Sequence, residues 1–166
     1  DLLKELKAGA REATLSGLWG ASKALVLAEL VKAARRPVIL FSPSEKEAEA
    51  LRGDLRFFLG KEVGYFPGQK EDLEVRSERI GTLKGLLFGE LPAVVATSTG
   101  GLEWTIPPET LTSLTLSLYP QRIIPMETVL KVLQEGGYTH VAQVVTRGEY
   151  SVRGGILDFF PPGAPN

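Results

Sequence analysis

The sequence predicts an α/β fold, a parallel sheet flanked by helices, followed by a small α+β domain with antiparallel strands. Three observations carry that prediction. Short apolar runs alternate with longer helical stretches through the first part of the chain, the pattern of a parallel sheet covered by helices. Thr99-Gly100-Gly101 and Pro107-Pro108 then mark irregular connections. Beyond them, period-two alternation replaces the strand–helix rhythm, as in Leu114, Leu116 and Leu118 and again in Tyr150 and Val152.

In chain order, residues 2–8 read as a short amphipathic helix, and 13–16 as a short strand leading into Gly17. Residues 21–34 are rich in Ala and Leu and predict a strong helix, with Lys32, Arg35 and Arg36 suited to its negative end. Pro37 punctuates, and 38–41 is an unbroken apolar run of the kind buried parallel strands show. Ser42-Pro43-Ser44-Glu45 opens a helix to about Leu59, with Glu45, Glu47 and Glu49 near its positive end. A strand over 63–66, a loop over 67–73, a helix over 74–88 and a strand over 93–97 complete the first domain. The boundary is placed near Pro107–Leu111, giving domains over 1–108 and 109–166. The second domain holds a strand over 114–118, a helix over 127–135 ending at Gly136-Gly137, and strands over 141–145 and 151–160 around a turn at Gly148.

Composition excludes several classes of function. A chain of 166 residues, 43% hydrophobic and 23% charged, buries a core without disulfides or metal. With 19 basic against 20 acidic side chains, it lacks the basic excess of a dedicated nucleic-acid domain. Cysteine is absent, which removes thiolate nucleophiles and Cys-type zinc sites and fits a reducing cytoplasm. His140 is the sole histidine, and Ser16 and Ser22 have no base in sequence context, so nucleophilic catalysis lacks support. Lys4, Glu5, Lys7, Arg11 and Glu12 interrupt any signal-peptide core, and no apolar run reaches membrane-spanning length.

Gly17-Leu18-Trp19-Gly20-Ala21-Ser22-Lys23-Ala24, between the expected strand and helix, occupies the slot of a Walker A loop. A working loop reads G-x-x-x-x-G-K-[ST], because glycine amides wrap phosphate, lysine reaches its outer oxygens and the hydroxyl binds Mg²⁺. Here Gly17, Gly20 and Lys23 remain, Ser22 replaces the glycine before the lysine, and Ala24 replaces the hydroxyl. Losing one such contact and straining Ser22 removes roughly 3–5 kcal/mol of phosphate affinity. No Asp-Glu box follows an apolar strand. The sequence therefore predicts a degenerate phosphate loop, no hydrolysis and no cofactor, with Trp19 packed over the turn; the alternative is a loop that still holds an anion through helix-N-terminal amides and Lys23.

The most informative stretch is Gly148-Glu149-Tyr150-Ser151-Val152-Arg153-Gly154-Gly155-Ile156-Leu157-Asp158-Phe159-Phe160-Pro161. Its alternation predicts a half-buried strand, Gly154-Gly155 a bulge or a close backbone approach, and Arg153 an outward side chain. Read from residue type alone, Arg153 is a solvated arginine paired with Glu149 or Asp158. The stretch resembles the matching segment of the UvrB-like module at the N-terminus of bacterial transcription-repair coupling factors (Mfd). The degenerate loop, Tyr65-Phe66-Pro67-Gly68, Ser77-Glu78-Arg79-Ile80-Gly81-Thr82-Leu83 and Gly136-Gly137-Tyr138 follow in the family's order.

The resemblance implies a UvrA-binding module of nucleotide excision repair, with Arg153, Tyr150 and Arg147 on the partner surface. It implies contact with RNA polymerase and DNA only through other domains, and no membrane. Two other readings stand beside it: an active UvrB-type helicase fragment, and an unrelated α/β enzyme with its site at the strand C-termini. Two departures from the family follow. Too few residues separate Phe66 from Ser77 for UvrB's DNA-threading hairpin, and a further strand expected after the Phe-Pro-Pro-Gly turn is missing before Asn166. Glu71, Asp72 and Glu74 read as a solvated loop, Arg76 and Arg79 as ordinary helix-face charges, and Phe57-Phe58 as core.

Overall fold

Three strands with helices between them build the first unit, in a computed structural model that describes residues 4, 5, 8, 9 and 11–161. In order come α1 (Ser22–Ala33), β1 (Val38–Ser42), α2 (Glu45–Leu59), β2 (Gly64–Phe66), α3 (Leu73–Leu87), β3 (Ala93–Thr97) and α4 (Ser98–Leu102). The second unit holds α5 (Pro108–Ser113), α6 (Met126–Glu135), β4 (Thr139–His140), β5 (Glu149–Arg153) and β6 (Ile156–Phe159). By contact density, one compact unit takes Asp1–Glu71 with Glu78–Glu103, and the other Asp72–Ser77 with Trp104–Asn166.

The first sheet is parallel in the order β1-β3-β2, with Val38 opposite Ala93 and Gly64 opposite Val94. Period-two alternation divides its faces. Ala93, Val95 and Tyr65 meet Ala24, Ala28 and Val31 of α1 and Ala48 and Leu55 of α2. Val94, Ala96 and Phe66 face the other way, onto Leu83, Leu86 and Leu91. Alanines at the helix contacts let α1 and α2 approach closely. Ser44 caps α2, its Oγ accepting from the Glu47 N–H at 3.3 Å, and Gly60 ends the helix at φ 61°. Arg52 ties α2 to its surroundings, donating to the Val63 carbonyl at 2.9 Å and to Glu78 at 2.6 Å.

Arg79 departs from the surface role expected of it. It is 7% exposed, its guanidinium donates to the Pro67 carbonyl and pairs with Glu103 at 2.9 Å, and it lies 4.1 Å from the Phe66 ring centroid. Glu103 also accepts from the Gln69 N–H at 2.7 Å, so the pair fixes the loop after β2. Asp72 is a helix cap, its Oδ1 accepting from the Glu74 N–H at 2.7 Å.

Several expected strands do not form. Residues 13–16 carry no strand, and 11–17 are all exposed with no neighbouring strand to pair. The expected helix over 2–8 lies partly outside the described residues; Lys4 and Glu5 are helical. Residues 114–118 are irregular: the Leu/Thr alternation is there, but no ladder partner is, and only Leu116 joins the core. The strand expected over 141–145 is replaced by the two-residue β4 just before it. The second sheet is mixed, not antiparallel throughout, with β4 parallel to β5 and β5 antiparallel to β6. The stretches around Gly100 and Pro108, expected to be irregular, form α4 and α5, opened by the Thr97 side-chain cap and by Pro108 in the first turn. Gly136 and Gly137 close α6, with φ 79° at Gly137 and the Tyr138 N–H returning to the Leu133 carbonyl at 2.9 Å.

Candidate protein-interaction surface

Two of the side chains singled out from the sequence, Tyr150 and Arg153, lie on the β5–β6 hairpin of the second unit. Arg153 pairs directly with Ile156 across it, so no residue is extra and the bulge expected at Gly154-Gly155 is a two-residue turn instead. Both glycines have positive φ, 55° and 87°, the signature of a type I′ turn whose twist matches the strands. A Cβ at either would meet nothing within 4 Å, so glycine serves conformation there, not space.

Directly opposed residues share a face of the sheet. Tyr150, Val152, Leu157 and Phe159 point inward onto Val129 and Leu133 of α6. Arg153, Ile156, Ser151 and Asp158 occupy the opposite face. The segment after β4 crosses that face. The Ser151 hydroxyl, 1% exposed, donates to the Ala142 carbonyl at 3.1 Å. Glu149 Oε2 accepts from the Val145 and Thr146 N–H groups, each at 2.8 Å. Those amides, Thr146 foremost, hold the Glu149 carboxyl below its ordinary value.

Arg153 lies on the outer face with its side chain 65% exposed, and Nη2 meets Asp158 Oδ2 at 3.1 Å. The two residues line a shallow recess of about 510 Å³ together with Gln143, Val144, Leu157 and Phe160. Arg147 lies beside one of these residues, its guanidinium 5.7 Å from the Phe160 ring centroid. Tyr150, named with them from the sequence, is a core residue. It is 5% exposed, its hydroxyl accepts from Gln134 Nε2 at 3.2 Å, and its ring lies 5.1 Å from that of His140. Of the two partners the sequence offered Arg153, the structure selects Asp158, two positions beyond Arg153's strand partner Ile156, and commits Glu149 to the Val145 and Thr146 amides.

The loop before α1 belongs to the other unit. Gly17 and Gly20 have φ 74° and 54°, and Ala24 packs into the core at 1% exposure. Lys23 is exposed, and Ser22 Oγ donates to the Trp19 carbonyl at 2.7 Å. Trp19 does not pack over the turn as expected: it is 86% exposed, because the Ser22 contacts fold the backbone back and leave the indole projecting. Without a strand before it, the loop lacks the strand–loop–helix setting of a Walker A site.

Comparison with known proteins adds a family to this geometry. Residues 116–166 match the model of the UvrB interaction domain. Along its length the chain is 28% identical over 183 residues to the UvrABC system protein B of Vibrio parahaemolyticus, covering 97% of this chain and 27% of that protein. It is 30% identical over 178 residues to the transcription-repair-coupling factor of Myxococcus xanthus, covering 98% of this chain and 15% of that protein. The coupling factor of Bacillus subtilis is 26% identical over 175 residues, matching 100% of this chain and 15% of its own length. The chain thus spans about a quarter or less of the relatives it matches.

Proposed function

We propose that this chain, which belongs to the family of UvrB-like modules shared by UvrABC system protein B and the transcription-repair-coupling factors, is a non-catalytic interaction module that binds UvrA. In that role it recruits UvrA to stalled RNA polymerase for nucleotide excision repair, while polymerase and DNA are met by other domains. The domains divide near residue 108, the first a decayed nucleotide-binding scaffold and the second the UvrA-binding part. The observation that carries the reading is the coincidence of the matched family segment, residues 116–166, with the hairpin that exposes Arg153.

Arginine's planar fork suits a partner carboxylate, and the two-residue turn holds it in a fixed direction. Arg147 adds positive charge at the rim. The packing at the strand C-termini supports a non-enzymatic first unit. There α4 begins directly after β3, and a Cβ on Gly100 would stand 2.6 Å from the Phe66 and Pro67 carbonyl oxygens.

Binding to purified UvrA tests the reading. Arg153→Ala should leave the fold intact and weaken binding by about 2–5 kcal/mol, thirtyfold or more. Arg153→Lys should restore only part of it. Changing Arg147 should cost less, through lost attraction at the rim. Equal affinity before and after Arg153→Ala sinks the site assignment. Trp19 fluorescence should show no saturable change with millimolar Mg-ATP; quenching with turnover hands the case to a UvrB-type helicase fragment.

A further inference from the structure

We infer that Asp158 is a built-in stand-in for the partner's carboxylate, occupying Arg153 in the free chain and setting how strongly an acidic partner surface can bind. The inference rests on the interaction reading above and deepens it.

Arg153 stands directly opposite Ile156, and Asp158 opposite Ser151. Asp158 is therefore Arg153's diagonal neighbour on the outer face, within reach of a long side chain. Ser151 is tied down beneath the crossing segment by its bond to the Ala142 carbonyl. Arg153 thus reaches back along the sheet and lays its guanidinium in the recess, with Nη2 on Asp158 at 3.1 Å. Among the described residues only Nη2 is held, so the rest of the fork is open to a second acceptor.

Magnitudes decide whether Asp158 helps or competes. The pair is open to water, with side chains 65% and 46% exposed, and exposed pairs hold weakly. A carboxylate that desolvates the same guanidinium holds it more strongly. The exchange therefore favours the partner, but its gain is reduced by the Asp158 contact that Arg153 must give up. The other acidic group of the hairpin, Glu149 on β5, is already committed to the Val145 and Thr146 amides. Asp158 is accordingly the charge that sets the opposition, and it screens Arg153 against weaker acidic partners.

The experiment is a double-mutant cycle on UvrA binding with Arg153→Ala, Asp158→Asn and the pair. Asp158→Asn keeps size and hydrogen bonding while removing the charge. It should tighten binding about three- to tenfold, speed association at low salt, and steepen the salt dependence. In the Arg153→Ala background the gain should vanish. Asp158→Ala should act in the same direction, with unchanged melting showing that neither variant disturbs the hairpin. Unchanged or weaker binding by Asp158→Asn, with Arg153→Ala still damaging, overturns this inference and leaves the interaction reading standing. A gain that survives in the Arg153→Ala background also overturns it. An unmutated chain that does not bind UvrA, or binds equally well without Arg153, overturns both.

Discussion

The Arg79 guanidinium stacks on the Phe66 ring, 4.1 Å from its centroid. Its Nη1 pairs with Glu103 at 2.9 Å. An almost fully buried cation is thus satisfied by a ring face, a carboxylate and the Pro67 carbonyl.

Arg79→Ala should destabilise the first unit by about 3–5 kcal/mol, because it strips a part-buried carboxylate of its counter-charge and unpins the loop after β2. Arg79→Lys should recover only a fraction, since an ammonium cannot stack and fork at once. Urea unfolding of the two variants measures both. A loss under about 0.5 kcal/mol for Arg79→Ala would place it with ordinary surface changes and remove the clamp.

Arg79 also shows where the sequence stops being legible. Along its helix it looks like any charged face residue, because its partners lie at Pro67 and Glu103, outside any local window. Helices were readable because their periodicity and caps are local, as at Ser44 and Gly137. The strands of the first sheet were readable as apolar runs. At 13–16 and 114–118 the alternation was real, but a strand also needs a neighbour, and none is present in the described structure. In the candidate site, the outward direction of Arg153 was legible in the sequence. Tyr150 was misplaced because alternation gives two faces without saying which is buried, and choosing Asp158 over Glu149 as the partner of Arg153 needed the register.

Gly154→Val and Gly155→Val should each cost the second unit about 1–3 kcal/mol, purely from positive φ, since neither site is crowded. Gly154→Asn should be nearly neutral, because asparagine tolerates the left-handed region. Thermal melting separates these outcomes, and equal loss for Asn and Val would mean that the turn is not type I′.

Glu149 makes the second unit acid-sensitive. Its carboxyl titrates below the usual 4.5 because the Thr146 and Val145 amides favour the charged form. That contribution is present above the unfolded value and is lost as pH falls through the lower folded one. Glu149→Gln should lower the neutral plateau and flatten the acid limb, the two proteins converging at pH below the folded value. An identical acid limb in both proteins counts against the bond.

Tyr65 acts at the other end of the scale. Burial, aided by Glu49, Glu45 and Glu78, pushes its phenol up to about 12. Its contribution is complete below the ordinary 10.0 and is lost as pH rises toward the folded value. Absorbance titration should show a late phenolate step that disappears in Tyr65→Phe. If that variant titrates like the parent, another group is responsible.

The strand order β1-β3-β2 has a consequence for how the chain is made. β1 and β2 never pair with each other, and each depends on β3, the last of the three in sequence. Val38 must therefore wait for Ala93, and Gly64 for Val94, before any ladder bond of this sheet can close. During synthesis α1 and α2 leave the ribosome able to pack on each other, but the sheet that completes their shared core closes only when Ala93–Thr97 arrives. Nascent chains stalled before Ala93 should be cut readily by protease, and those released beyond Glu103 should resist it.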